Sequence, residues 1–285
     1  MVAGAPFRER LQAAIAAKGA ALCVGLDPVP EALPLGLGHG LEAVRRHTLA
    51  LVEATAPYCV AFKPNLAFFE RLGTGGWELL TEVVAQARRH ALVVADAKRG
   101  DIGSTALAYA QAVYDVLQAD ACTVSPYLGG DALEPFFARA DRLTFVLCRS
   151  SNPGARDFQD LRLGEGGRPL YLEVAARAAE WDSQQFSGRV GLVAGATWPE
   201  EVAKIRSVAP GLPLLLPGVG RQGGDLERAV AGARGPAGDG LYLLSVSRAI
   251  GQASTEDDFA DAAAGVAASF RDRLISIGQA PSAPE

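Results

Sequence analysis

Apolar residues fall in eight short runs along the chain, at 21–26, 60–62, 91–95, 121–124, 143–148, 190–194, 214–217 and 241–246. Within a run they are consecutive rather than alternating. A strand of that kind is buried on both faces, as in a parallel sheet. Between the runs, apolar residues recur at helical spacing, so 41–55, 77–90, 105–117, 132–139, 171–186, 200–208, 226–231 and 257–274 read as helices. Phe7, Leu11, Ala14 and Ile15 keep the same period ahead of the first run and predict a leading helix over 7–17. Strand and helix thus alternate eight times. That number favours an α/β fold closed into a single (β/α)8 TIM barrel over an open, doubly wound sheet. No low-complexity linker divides the 285 residues. The expectation is one domain, 1–285, with the barrel at about 20–275 and a frayed tail at 279–285.

Polar residues break this pattern at one kind of place. Asp27 follows the first run, Lys63 ends the second, and Asp96 and Lys98 end the third. Ser125, Ser151, Thr197, a glycine-rich loop and Arg248 follow the remaining five in turn. In a barrel all these strand ends open on one mouth, where active sites are built. The densest stretch is 93–105, reading Val-Val-Ala-Asp-Ala-Lys-Arg-Gly-Asp-Ile-Gly-Ser-Thr. Positions two apart on a strand share a face, so Asp96 and Lys98 should emerge side by side. Asp101 follows where the next helix begins. Charges buried at a strand end are costly unless they pair, which favours a functional cluster over an exposed salt bridge of little worth.

A second motif is Gly218-Val219-Gly220-Arg221-Gln222-Gly223-Gly224-Asp225. Glycines let backbone N–H groups converge on an anion, and a helix that follows adds partial positive charge. Arg248, at the next strand end, can offer a bidentate guanidinium. Barrels often bind phosphate with the loops after strands seven and eight, so the pair reads as a phosphate site. The glycines do not continue as G-x-G-x-x-G, and a barrel is the wrong context for a dinucleotide fold.

Composition narrows the partners. The formal net charge is −5, with 27 basic and 32 acidic residues spread along the chain, so no basic face for nucleic acid is expected. Cys23, Cys59, Cys122 and Cys148 form no C-x-x-C pair and lie in or beside apolar runs, as small core residues do. His39, His47 and His90 avoid the strand ends, which counts against a zinc site. Arg8, Glu9 and Arg10 interrupt any signal-peptide core, and no apolar stretch reaches the ~20 residues of a membrane span. The expectation is a soluble cytoplasmic protein with reduced thiols. Trp77, Trp181 and Trp198 read as packing residues, and Phe68 and Phe69 as core between barrel and helices. Asp115, Asp120 and Asp131 read as helix ends and caps, and 153–169 as an insertion without chemistry.

The stretch Asp96-Ala97-Lys98-Arg99-Gly100-Asp101-Ile102 resembles the D-x-K-x-x-D-I signature of the orotidine 5'-phosphate decarboxylase family. Gly25-Leu26-Asp27-Pro28, Phe62-Lys63-Pro64-Asn65, Ser151-Asn152-Pro153-Gly154, Gly195-Ala196-Thr197, Pro217-Gly218-Val219-Gly220 and Ser247-Arg248 resemble its other strand-end motifs, in order. In length the chain is similar to the longer bacterial subgroup. The resemblance implies cofactor-free, metal-free decarboxylation of orotidine 5'-monophosphate to uridine 5'-monophosphate in pyrimidine synthesis. It implies that Lys98 protonates C6, that Asp96 lies beside the departing carboxylate, and that Asp27 and Lys63 hold the ribose hydroxyls. Ser151 would contact the pyrimidine. Gln222 and Arg248 would bind the phosphate, with Gly218, Gly220 and Gly223 in the same loop. It further implies a homodimer in which Asp101 and Thr105 reach the partner's pocket. Arg221 receives no role.

Two other readings compete. A related barrel family shares D-x-K-x-x-D but handles sugar phosphates with Mg2+, using an acid at the end of strand two. Lys63 stands at that position here, and a cation there would repel the metal. A non-catalytic nucleotide-phosphate sensor would be expected to have lost part of the set Lys63, Asp96, Lys98 and Asp101, and all four are present.

Overall fold

A computed structural model describes residues 4–164, 167–219 and 225–279. Its eight strands are β1 (Leu22–Leu26), β2 (Ala61–Pro64), β3 (Leu92–Arg99), β4 (Ala121–Val124), β5 (Leu143–Arg149), β6 (Val190–Ala194), β7 (Leu214–Pro217) and β8 (Tyr242–Val246). They close into one parallel barrel in chain order. Cys23 is level with Ala61 on one side and with Ser245 on the other, so β8 returns to β1. The expected (β/α)8 barrel is the observed fold.

Two apolar layers explain why the strands read as unbroken runs. Cys23, Ala61, Leu92, Val94, Ala121, Phe145, Leu215 and Leu243 fill the barrel interior. Their neighbours Leu22, Val24, Phe62, Val93, Ala95 and Cys122 pack outward against the helices. Alternate residues therefore serve two different cores, each apolar. The leading helix, Phe7–Lys18, inserts Phe7 and Leu11 into the interior core and closes its N-terminal end. Phe7 meets Phe145 edge to face, with ring centroids 6.3 Å apart.

The helices depart further from expectation than the strands. The predicted 105–117 helix begins earlier, as Gly103–Gln111, and widens into a looser turn in which Leu117 N–H bonds to Ala112 O at 2.9 Å. The predicted 132–139 helix shrinks to Glu134–Phe137, whose Phe136 and Phe137 are buried. Short helices Leu66–Glu70 and Arg248–Gly251 were not anticipated, because neither spans the two turns a periodic pattern needs. Helix Phe259–Gln279 runs into the predicted tail, and 280–285 lie outside the described residues. Phe69 is core as expected, whereas Phe68 is half-buried beneath Arg71. All four cysteines are buried and free. Among the described residues, no helix is long and apolar enough to cross a membrane.

Candidate active site

The inward parity of the strands continues past the apolar core and becomes polar. Ala61 points inward, so two residues later Lys63 does. By the same count Cys23 leads to Asp27 through Gly25, Val94 leads to Asp96, and Ala121 leads to Thr123. One layer of the interior is thus built from charges and hydroxyls instead of aliphatic groups. It forms the floor of an open cleft of about 620 Å³. Six predicted residues line that cleft: Asp27, Lys63, Asp96, Ser151, Gly218 and Arg248. Asn65 and Ser247, given no role within the strand-end motifs that contain them, line it as well, as does Ser245, which no motif included.

Asp96 is the centre of the polar layer. Its Oδ2 accepts from Lys63 Nζ at 3.0 Å, and its Oδ1 accepts from Lys98 Nζ at 2.6 Å. Thr123 Oγ1 donates to the same Oδ1 at 2.9 Å and accepts from the Lys98 backbone N–H at 3.0 Å. Burial by itself would push the Asp96 carboxyl up and the Lys63 ammonium down. Lys63 and Lys98 reverse the first effect and hold Asp96 well below the usual carboxylate range. Asp96 and Asp27 reverse the second and hold Lys63 above the usual lysine range. Asp96 and Lys63 are therefore both charged at neutral pH. Lys63 is almost wholly buried, while the Lys98 side chain is 48% exposed; Lys98 is not itself among the residues that line the cleft, and it meets them through Asp96.

Lys98 is held in an unusual backbone state. Its φ is +46°, in the left-handed region that costs a lysine roughly 1–3 kcal/mol unless its surroundings enforce it. The register between β3 and β4 jumps there, with Ala95 opposite Cys122 but Arg99 opposite Val124. The side-by-side emergence of Asp96 and Lys98 is as predicted. Simple strand alternation is not the cause, because the strand is irregular between them. Thr123 anchors the distortion from β4, and nothing in its apolar surroundings singled it out beforehand.

The remaining predicted residues divide. Asp27 lines the cleft, and its Oδ1 is buried with no hydrogen-bond partner among the described residues. Gly218, just past β7, has φ +103° and needs to be glycine. Gly220, Gln222 and Gly223 lie outside the described residues. The helix after that loop, Leu226–Arg234, is capped by Asp225, whose Oδ1 accepts from Arg228 N–H at 3.0 Å. A carboxylate therefore already occupies the helix end expected to attract an anion. Arg248 stands exposed at the rim of the cleft. Asp101 and Thr105 are not among the residues that line the cleft, and Thr105 is exposed. Thr197 acts on backbone, donating to Ser151 O at 3.2 Å. Among the described residues, no group of three His, Cys, Asp or Glu side chains is placed to hold a metal ion.

Fold and site together define a (β/α)8-barrel enzyme with interlocked lysines and a carboxylate at its mouth. The model of the orotidine 5'-phosphate decarboxylase / HUMPS family matches residues 20–263, and the chain belongs to that family. It is 48% identical over 271 residues, 95% of each chain, to an orotidine 5'-phosphate decarboxylase of Thermomicrobium roseum. It is 47% identical over 270 residues, 94% of this chain and 97% of the relative, to one of Ralstonia pickettii. Among solved structures, it resembles the OMP decarboxylase of Leishmania donovani at 38% identity, with a TM-score of 0.83 and coverage of 97% and 100%. A putative orotidine-monophosphate decarboxylase of Toxoplasma gondii gives a TM-score of 0.87 at 35% identity, covering 96% of both chains.

Proposed function

We propose that the protein is a carbon–carbon lyase that converts orotidine 5'-monophosphate to uridine 5'-monophosphate and CO2. It does so without a cofactor, as a cytoplasmic homodimer serving pyrimidine nucleotide synthesis. The observation that carries this reading is the locked array Lys63–Asp96–Lys98 with Thr123 behind it.

Cleavage of the C6–carboxyl bond leaves the bonding electron pair on C6, where no adjacent π system can accept it. Enzymatic barrier lowering spans ~8–23 kcal/mol, and so reluctant a reaction requires the upper part. Lys98 supplies a preorganised positive charge for the growing anion and then transfers its proton to C6. CO2 departs beside Asp96, which two ammonium groups keep ionised. Lys63 and the spare acceptor of Asp27 suit the ribose hydroxyls, and Ser151 suits the pyrimidine. Arg248 and the loop from Gly218 through Gly220, Gln222 and Gly223 suit the phosphate, whose remote binding energy can be used for orientation.

The dimer reading is supported by what surrounds Asp101 and Thr105. Ile102 and Leu107, near them in the chain, are exposed, and so are Tyr127 and Leu128 in the segment after β4, Tyr127 at 90%. An apolar surface of this kind suits a second copy of the chain, with Asp101 and Thr105 entering the partner's cleft.

The direct test follows the absorbance of orotidine 5'-monophosphate with purified protein and excess EDTA. Full turnover is expected. Loss with EDTA that Mg2+ restores would favour the sugar-phosphate reading instead. Orotidine without its phosphate should be a very poor substrate. Arg248→Ala should lower kcat/KM by the few kcal/mol of a charge-assisted bidentate contact. A near-parental Arg248→Ala would remove that arginine from the phosphate site.

A further inference from the structure

Arg149 ends β5 with only 1% of its side chain exposed. Strand alternation would aim it into the barrel, but the register of β5 against β6 shifts between Leu147 and Arg149. Its guanidinium instead lies over the rings of Trp198 and Tyr171, at 5.1 and 5.5 Å. Asp160 faces it at 3.1 Å. A buried cation here needs an explanation, because the loop it supports belongs to the segment 153–169, read from sequence as free of chemistry.

From Arg149 a directional chain of hydrogen bonds runs to the cleft. Arg149 Nη1 donates to Gln159 Oε1 at 3.4 Å, and the Ser150 backbone N–H donates to the same oxygen at 2.9 Å. Both donors can only donate, so the orientation of the Gln159 amide is fixed. Its Nε2 then donates to Ser150 Oγ at 2.9 Å, and Ser150 Oγ donates to Asn152 Oδ1 at 2.7 Å. Ser151 sits between the two residues so clamped. From the other side Thr197 Oγ1 holds its carbonyl, and Gly195 approaches so closely that a Cβ would come within 2.9 Å of the Ser151 backbone.

We propose that Gln159, oriented by buried Arg149, is a positioning residue that sets Ser151 against the pyrimidine ring. This rests on the decarboxylase reading of Ser151. Gln159 touches no reacting atom. It holds Ser150 directly, and through Ser150 Oγ the side chain of Asn152, on either side of a residue that does, in a network whose polarity Arg149 imposes.

The test is a double-mutant cycle on kcat/KM for orotidine 5'-monophosphate, with thermal melting of each protein. Gln159→Ala should lower kcat/KM about tenfold to a hundredfold, the scale of misplacing a contact by about an ångström. In a Ser151→Ala background the same change should cost nearly nothing more, because the positioned group is gone. Gln159→Glu guards against misfolding: it keeps an acceptor for Ser150 N–H and Arg149, so it should melt like the parent. It cannot donate to Ser150 Oγ, so it should still lose activity. Parental activity in Gln159→Ala, or losses that multiply with that of Ser151→Ala, would overturn the positioning role and leave the decarboxylase reading standing. An active parent in which Ser151→Ala costs nothing would remove the pyrimidine contact, and the positioning role with it. A parent inactive on orotidine 5'-monophosphate would sink the reading itself.

Discussion

The two ends of the barrel carry the same kinds of charged residue and use them in opposite ways. At the N-terminal end, Arg10 pairs with Asp120 at 2.5 Å and also donates to Asp141 O and Ala5 O. Asp120 in turn accepts the Val93 N–H at the start of β3. Arg8 binds Asp182 and the Val190 carbonyl, and Asp182 accepts the N–H groups of Arg189 and Val190. Arg206 is buried and donates to the carbonyls of Ala233, Pro210, Leu212 and Leu241. Desolvation pulls its pKa down to about 10, yet it stays charged at neutral pH. Each of these charges fixes the entry of a strand or the end of a helix. At the mouth, Lys63, Asp96 and Lys98 bind one another, and Asp27 keeps a buried acceptor unused. Charges spent on backbone stabilise the fold. Charges locked to each other and left facing a cleft are available for chemistry.

The largest expected effect is at the mouth. Lys98→Ala removes the proposed proton donor and one of the two cations on Asp96, and turnover should fall by at least about 10⁴-fold. The fold should persist, since Lys63 and Thr123 still satisfy Asp96. Steady-state assay beside circular dichroism checks both halves. Lys204→Ala, on an exposed helix face, should do nothing. Parental turnover in Lys98→Ala would remove Lys98 from the mechanism.

Next comes the question of whose mouth Asp101 serves. Lys98→Ala and Asp101→Ala should each be inactive alone. Unfolded and refolded together, they should make about half mixed dimers, with one pocket in each mixed dimer carrying both lesions and the other neither. About a quarter of all pockets should then regain parental activity. A mixture as dead as its parents, with mixed dimers verified by native mass spectrometry, would place both residues in a pocket of one chain.

The contrast between the ends also explains what the sequence made legible. A charge after an apolar run stands out, because the strand pattern has just ended and nothing structural calls for it. Asp27, Lys63, Asp96, Lys98 and Arg248 were all visible in that way. A charge before a run looks like any polar loop residue. Asp120 was accordingly read as a helix cap, although it is buried between Arg10 and Arg142 and holds β3. Thr123 was missed because a threonine inside a strand is an ordinary strand former. Arg149 was missed because a register shift, which no local pattern announces, turned it out of the expected face. Gln159 lies in a segment without periodicity, so only its partners reveal it.

Breaking the N-terminal end should separate stability from activity. Asp120→Asn keeps the shape but leaves Arg10 and Arg142 without their shared carboxylate. Loss of one partner from a buried ion pair costs about 3–5 kcal/mol. Urea unfolding should show a loss of about that size, while kcat per correctly folded site stays at the parental value. A kcat that fell with Asp120 would mean the two ends are coupled and the division of labour is wrong.

The smallest effect concerns acid. His47 is buried behind the mouth, stacked on Phe259 at 5.1 Å, in a small cavity also lined by Asp27 and Arg248. Neither ring nitrogen has a partner among the described residues. Burial lowers its pKa to about 4, so the folded protein holds His47 neutral where an unfolded histidine, at ~6.5, would take up a proton. The unfolded state then binds more protons between those values, and stability falls as pH drops through that window. By pH 5 the loss should be about 2 kcal/mol. Asp96 cannot produce it: its depressed carboxyl contributes fully above ~3.9 and loses its contribution only below that. His47→Phe keeps an aromatic ring against Phe259 and removes the titration. The parent's urea midpoint should therefore fall between pH 7.5 and pH 5 while that of the variant holds, with kcat little changed. An unaltered acid slope in His47→Phe would assign that slope to another group.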